Sequence, residues 1–530
     1  MKKTILEKKY FLYATEFFSG MSVMAVEQGA SRLLAPYFSS SQIVWTIIIG
    51  TIMIAMALGN VWGGRLADRD PNPDRLYGRM LLAAVWIGAI PLVGKYVILA
   101  VAGGLAFLMP DNYLVWAAFA SSMVLFVFPL MLLGTVTPSL VKYTVESLDE
   151  SGSTVGYLNA LNTIGSIIGT FVPTFITIPA AGTSITFLIF AGVLFLLALL
   201  YFISCRRRLR LCIITTILML LCILFGRSTS FAFWEDDLLY EGESIYNYLQ
   251  VSEDEDSISL STNVLFGVQS IKMKEGGLTG MYYDYALAAP ALAGIGEEDP
   301  MDLLILGLGT GTYATQCETY YSDTDITGVE IDQAIIDLAY EYFDLSSEVQ
   351  TETADGRSYL NSCTETYNVI MVDAYQDITI PFQMSSVEFF TEVQEHLSEG
   401  GVMVVNMNMQ SDAEGSINEY LSDTIASVFD YVYTVEVRGN TNRILFASDN
   451  PEMIENLRAA CVQTENAELR EMLQTVSDGL EVYTGGDCIL TDDKAPVELL
   501  GMRVIDELIT DELDYYIPLI KEEGLSALLN

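Results

Sequence analysis

Long, nearly unbroken apolar stretches fill the first 227 positions, and short apolar runs between acidic turns fill the rest. Runs long enough to cross a hydrocarbon core recur through the first part. They predict spans near 10–29, 43–63, 80–109, 113–133, 159–178 and 185–204, with a shorter seventh run at 211–226. The third run is too long for a simple span. Pro91, with Gly94-Lys95 just after it, is expected to break that run into two pieces.

Cationic residues orient these spans. Lys2, Lys3, Lys8 and Lys9 precede the first, Arg65, Arg69, Arg75 and Arg79 lie between the second and third, and Arg206, Arg207, Arg208 and Arg210 follow the sixth. All three clusters fall on one face, the cytoplasmic one, if the third run crosses once. The side on which the C-terminal part lies then turns on whether the seventh run crosses or rests in the interface. Glu16 and Glu27 are 11 positions apart, close to three helical turns, so they share a face. Carboxylates at that depth mark either an ion pair, here with Arg32, or a pathway.

Beyond residue 228 the period changes. Residues 228–295 read as a linker and a small β-rich module, with apolar–polar alternation at 258–261 and strand-like composition at 264–273. From residue 296, strand–turn–helix units follow one another. Candidate strands are 303–306, 326–331, 349–354, 369–372 and 402–406, and candidate helices are 313–321, 333–343 and 386–397. This alternation predicts a doubly wound, mostly parallel sheet, with 432–437 and 443–448 closing it as a hairpin.

Charge sharpens the division. Residues 1–227 carry a net +6 and residues 228–530 a net −48, although the mean hydropathy of the whole chain is positive, at +0.37. The acidic part is unsuited to nucleic acid and suited to cations. The seven cysteines form no Cys-x-x-Cys pair, and the single histidine, His396, has no cysteine close by in sequence, so no metal site is expected. No cleavable leader is evident: the apolar stretch after Lys8-Lys9 is long and lacks a small-residue cleavage site.

Four features fall at the C-terminal ends of the predicted strands, where such a sheet places its ligand. Gly307, Gly309, Thr310 and Gly311 form a glycine turn directly after the first strand, where the backbone can bend sharply and approach a ligand. Glu330, 19 residues after Gly311, ends the next strand and is placed to accept two ribose hydroxyls. Asp332 is better placed to cap the following helix. Asp355-Gly356 follows the third strand, with an acid for an adenine amino group and a glycine for the turn. Asp373, Tyr375 and Asp377 follow the fourth, where carboxylates and a phenol could hold and deprotonate a cationic amine. Deprotonating an amine of pKa about 10.4 at neutral pH costs roughly 4–5 kcal/mol. A positioned carboxylate base offsets much of that cost.

At these residues the chain resembles the spermidine synthase (polyamine aminopropyltransferase) family. Glu243-Ser-Ile-Tyr246-Asn247 is similar to the family's entry motif, and Tyr282-Tyr283-Asp284-Tyr285 to its motif before the glycine loop. Ile380-Pro381-Phe382 and Glu388-Phe389-Phe390 are similar to the loop and helix after its catalytic aspartate. Together with 490–497 and the fused N-terminal helices, they resemble a membrane-bound branch of the family. The resemblance implies an N-terminal transmembrane helical bundle joined to a Rossmann-like sheet of the AdoMet-methyltransferase type. It implies Asp373 as catalytic base, Glu330 and Asp355 as ribose and adenine acids, and Asn247, Tyr282 and Asp284 among substrate contacts. The co-substrate would be decarboxylated AdoMet or AdoMet, with no permanently bound cofactor, and the partners a small cationic amine and the lipid bilayer. Assembly of identical chains is left open. The sequence departs from the family where Thr310 replaces the glycine-loop aspartate, Tyr283 replaces a Gln or His, and the second acid of the aspartate motif is displaced to Asp377. Two other readings are compatible with these residues: an AdoMet-dependent methyltransferase on the same sheet, and a non-catalytic sensor or transporter that binds a nucleoside or polyamine.

Overall fold

The computed structural model describes the chain except residues 1–8, 39–40, 107–111, 145–150, 228–229, 236–237, 265–266, 375–379, 409–410, 412, 440, 502 and 505–530. It divides into two compact units. Of the described residues, one contains the helices up to Trp234 together with Glu241–Tyr248, and the other contains Glu235–Tyr240 and those from Leu249 to Val504.

The first unit is helical: α1 (Lys9–Phe38), α2 (Gln42–Arg69), α3 (Pro73–Ala106), α4 (Tyr113–Gly134), α5 (Val136–Thr144), α6 (Ser151–Val172), α7 (Ile178–Cys205) and α8 (Leu209–Phe225). Among the described residues, four continuous stretches are long and apolar enough to cross a membrane: Gln42–Arg69, Pro73–Ala106, Tyr113–Thr144 and Gly152–Cys205. The last, of 54 residues, bends at Gly182, whose φ of 81° lies outside the helical region and leaves one long helix on either side. α1 is as long as these but is not apolar enough to join them, since Glu16, Glu27 and several serines interrupt it. α8, with 17 residues, is about 25 Å long. Pro91 does not break the third run: α3 continues through it for 34 residues.

Glycines set the closest helix contacts. A Cβ on Gly165 or Gly169 of α6 would lie 2.0 Å from a backbone oxygen of α1, that of Phe17 or Met21 respectively. On α2, a Cβ at Gly59 would lie 2.4 Å from the Met131 carbonyl oxygen. Small residues four apart thus let backbones touch, as in tightly packed apolar helices. Arg207 bonds Asp74 at 3.1 Å, so the α2–α3 and α7–α8 turns, with their arginines, share one end of the bundle.

The second unit is an α/β domain. A small sheet in the order β1-β2-β3-β4 is formed by β1 (Leu238–Glu243), β2 (Tyr248–Glu253), β3 (Ser257–Ser261) and β4 (Ser270–Met273), of which residues 241–243 and 248 are counted with the first unit. The main sheet has eight strands: β5 (Met301–Leu306), β6 (Thr324–Glu330), β7 (Gln350–Thr353), β8 (Tyr367–Val372), β9 (Leu397–Met407), β10 (Tyr431–Glu436), β11 (Arg443–Ser448) and β12 (Glu481–Val482). Their order is β12-β10-β11-β9-β8-β5-β6-β7. β7, β6, β5, β8 and β9 run parallel, and β11, β10 and β12 are added antiparallel. The central parallel strands carry buried apolar runs such as Leu303–Leu306 and Val369–Val372, packed under helices, whereas the edge strand β7 is polar and mostly exposed. β5 lies between β6 and β8, so the direction of winding reverses there. This switch point is where an open α/β sheet leaves a crevice at its carboxyl edge.

Candidate active site

Each residue at the crevice is fixed by the strand or helix that ends beside it. β5 runs into the glycine turn, where Gly307, Gly309 and Gly311 have φ values of 92°, 56° and 84°. Each is also crowded. A Cβ on Gly307 would lie 2.4 Å from the Asp373 carbonyl oxygen, and one on Gly311 would lie 2.4 Å from Leu345 Cδ1. The turn therefore needs glycine both for its backbone angles and for the approach of β8. Gly311 then caps the helix Thr312–Tyr320.

β6 ends on Glu330, which is buried. Its Oε2 accepts the Gly309 N–H at 3.0 Å and its Oε1 accepts the Asp332 N–H at 3.1 Å. Burial pushes its carboxyl up to about 7, against the pull of these N–H donors. Asp332 caps the next helix by accepting from Ala334 N. After β7, Asp355 caps the helix Gly356–Leu360: its Oδ1 accepts from Ser358 N and Oγ, both at 2.9 Å. Among the described residues its Oδ2 meets only a long contact, 3.4 Å, from Gln383, which leaves that oxygen with acceptor capacity. Gly356 is buried against Met384. Arg357 beside it bonds both Glu392 and Asp492, tying the 490–494 loop to this corner.

β8 ends at Asp373. Tyr282 Oη donates to its Oδ2 at 2.6 Å and Asn406 Nδ2 donates to its Oδ1 at 2.9 Å. Asn406 in turn accepts from Asn442 Nδ2 at 2.8 Å. Burial pushes Asp373 up to about 7, and the Tyr282 and Asn406 bonds pull it back. Burial, then the nearby Asp373 carboxylate, holds the Tyr282 phenol well above its usual range, so it remains a donor. A carboxylate near neutrality, fixed by two donors, is suited to accepting a proton at physiological pH.

Not every predicted residue lies in this crevice. Asp284, expected among substrate contacts, is buried, and its carboxylate accepts from Thr279 N and Oγ1, Gly280 N and Gln316 Nε2. Four donors saturate a carboxylate, so Asp284 closes its own turn. Thr310, expected beside the ligand, is buried with its hydroxyl unpartnered, and it lines a cavity of about 70 Å³ with Thr279, Thr312 and Gln316. Asn247 belongs with the helical unit, where its N–H bonds Ser244 Oγ at 2.8 Å. Tyr375 and Asp377 lie outside the described residues. Asn406 was missed by the sequence reading. Its signal was there, a lone amide ending the apolar strand that neighbours β8. Asn442, which holds it, gives no such signal.

Residues 287–449, which contain the glycine turn, Glu330, Asp355, Asp373 and Asn406, match the spermine/spermidine synthase domain. A probable polyamine aminopropyl transferase of Bifidobacterium longum is 53% identical over 348 residues, covering 62% of this chain and 77% of that protein. The chain belongs to the polyamine aminopropyltransferase family, whose members are transferases. A second aminopropyltransferase, from Vibrio vulnificus, is 26% identical over 307 residues, which is 54% of this chain and 99% of that protein. Among solved structures, a probable spermidine synthase of Corynebacterium glutamicum aligns at 22% identity with a TM-score of 0.36, covering 47% of this chain and 96% of that one.

Proposed function

We propose that this aminopropyltransferase moves an aminopropyl group from decarboxylated AdoMet to a small amine such as putrescine, with Asp373 as the base. The observation that carries this reading is the Asp373 carboxyl, held by Tyr282 and Asn406 at the switch point beside the glycine turn and Glu330. The amine gives up a proton to Asp373 Oδ and its nitrogen attacks the methylene beside the sulfonium. The new C–N bond forms as the C–S bond breaks, and methylthioadenosine leaves. Glu330 would accept the ribose hydroxyls and Asp355 Oδ2 the adenine amino group. The four long apolar stretches support placement of the helical unit across a lipid bilayer.

Asp284 spends its acceptors on Thr279, Gly280 and Gln316 and Asp377 lies outside the described residues, so the charge that Thr310 lacks is assigned to neither. A neutral residue at that position favours decarboxylated AdoMet over AdoMet less strongly than an acid would, which keeps methyl transfer as the second reading. The test is product analysis with the full-length chain, putrescine and each donor in turn. Methylthioadenosine and an aminopropylated amine from the decarboxylated donor support the proposal. A methylated product formed from AdoMet alone would replace it with the second reading.

A further inference from the structure

Glu16 lies on α1, inside the helical unit, and is fully buried. Its Oε1 accepts from Thr137 Oγ1 of α5 at 2.6 Å and from Asn162 Nδ2 of α6 at 3.0 Å. Its Oε2 is buried and has no hydrogen-bond partner among the described residues. An ionised carboxylate with one bare oxygen in an apolar interior costs several kcal/mol, so such a group acquires a positive charge or is paired.

Three basic side chains of the surrounding helices are engaged elsewhere. Arg79 of α3 donates to Ser139, Lys142 of α5 pairs with Asp68, and Arg32 of α1 donates to the backbone carbonyls of Ile245 and Tyr246. The tyrosine nearest along α1, Tyr77 of α3, is bonded to Thr15 rather than to Glu16. The Glu–Arg pair expected from sequence is therefore absent at Glu16 among the described residues. On the α6 side the site lies close to the surface of the helical unit. Asn162 is half-buried there, and Thr163, Ile164, Ile167 and Ile168 on the same helix are exposed.

We propose that Glu16, with Thr137 and Asn162, is a site for a single exchangeable positive charge, a proton or a small monovalent cation, within the helical unit. The site makes that unit more than an anchor, because a neutralised carboxyl contacting three helices can release its charge only if those helices shift or water enters.

The full-length chain in detergent micelles is treated with dicyclohexylcarbodiimide, which adds to protonated carboxyls in apolar surroundings, and the adduct is mapped by mass spectrometry. Parallel arms contain no added salt, sodium chloride or potassium chloride. The expected result is an adduct at Glu16 that is lost in Glu16→Gln, while the thermal midpoint of that variant stays at or above wild type because glutamine mimics the neutral form. An adduct unaffected by the added cations assigns the charge to a proton, and protection by one of them assigns it to that cation. The proposal is overturned by no Glu16 adduct in any arm, or by a Glu16→Gln variant that loses thermal stability, since both indicate an ionised carboxylate held by a partner. Thr137→Val, which removes one donor to Oε1, should strengthen the adduct signal, and a weakened signal would also count against the site.

Discussion

Replacing Asp373 by asparagine separates its chemical role from its structural one. The carboxyl accepts Tyr282 Oη on one oxygen and Asn406 Nδ2 on the other, and Asn406 Oδ1 is itself taken by Asn442. Asparagine keeps one acceptor and turns the other into a donor facing a donor. With its amide nitrogen toward Tyr282, the phenol oxygen can accept, but the phenol O–H then loses its acceptor, and a single unsatisfied donor costs about 1–3 kcal/mol. The opposing effect comes from ionisation. Burial raises Asp373 from 3.8 to about 7, so ionising it in the folded chain costs about 2–4 kcal/mol. A raised folded value gives a stability contribution that is full below the unfolded value, near 4, and is lost as pH rises through about 7. Asp373→Asn removes that dependence. The variant should be less stable than wild type at about pH 5 and should gain on it by about 2–4 kcal/mol on going to about pH 8. Thermal unfolding of the detergent-solubilised chain at several pH values reads this difference. Transfer, followed by methylthioadenosine release, should fall by about 10²–10⁴-fold at pH 8. A variant that keeps more than about a tenth of the rate would remove Asp373 from the base role. A stability difference independent of pH would show that Asp373 is ionised in the folded chain well below neutrality.

Three further outcomes follow from neighbouring contacts. Tyr282→Phe removes a donor that stabilises the Asp373 carboxylate, so the acid limb of the kcat/KM profile, expected near pH 7, should move to higher pH; an unmoved limb would assign it to another group. Glu330→Ala should weaken methylthioadenosine binding by about 10–100-fold in calorimetric titration, one charge-assisted contact being worth about 1.5–3 kcal/mol, and unchanged affinity would place the ribose acid elsewhere. Gly165→Leu should lower the thermal midpoint sharply, because its Cβ meets the Phe17 carbonyl oxygen at 2.0 Å, whereas Gly192→Leu, with open space at that point, should not; equal effects would argue against the α1–α6 contact.

What the sequence disclosed follows from how local each signal is. The order and place of β5, β6, β8 and β9 were legible because each carries a short apolar run, and those of β7, which is polar, from the Asp355-Gly356 turn that follows it, and the ends shifted by only a few residues. The bend at Gly182 falls between two predicted spans for the same reason. Pro91 misled because its helix-breaking tendency is a local preference, and packing of the surrounding apolar helix overrode it. Asp284 misled in another way. Its motif position suggested a ligand contact, but its acceptor capacity is spent on Thr279, Gly280 and Gln316, the last of which is 32 positions away. The same non-locality hid Asn406 and Asn442, which complete the Asp373 environment from β9 and from just before β11. A sequence shows which carboxylates can stand at the mouth of a sheet. Which of them keeps a lone pair for a substrate depends on donors that arrive from elsewhere in the chain. By that criterion Asp355 Oδ2 remains available, Asp373 is poised by two donors, and Asp284 is spent.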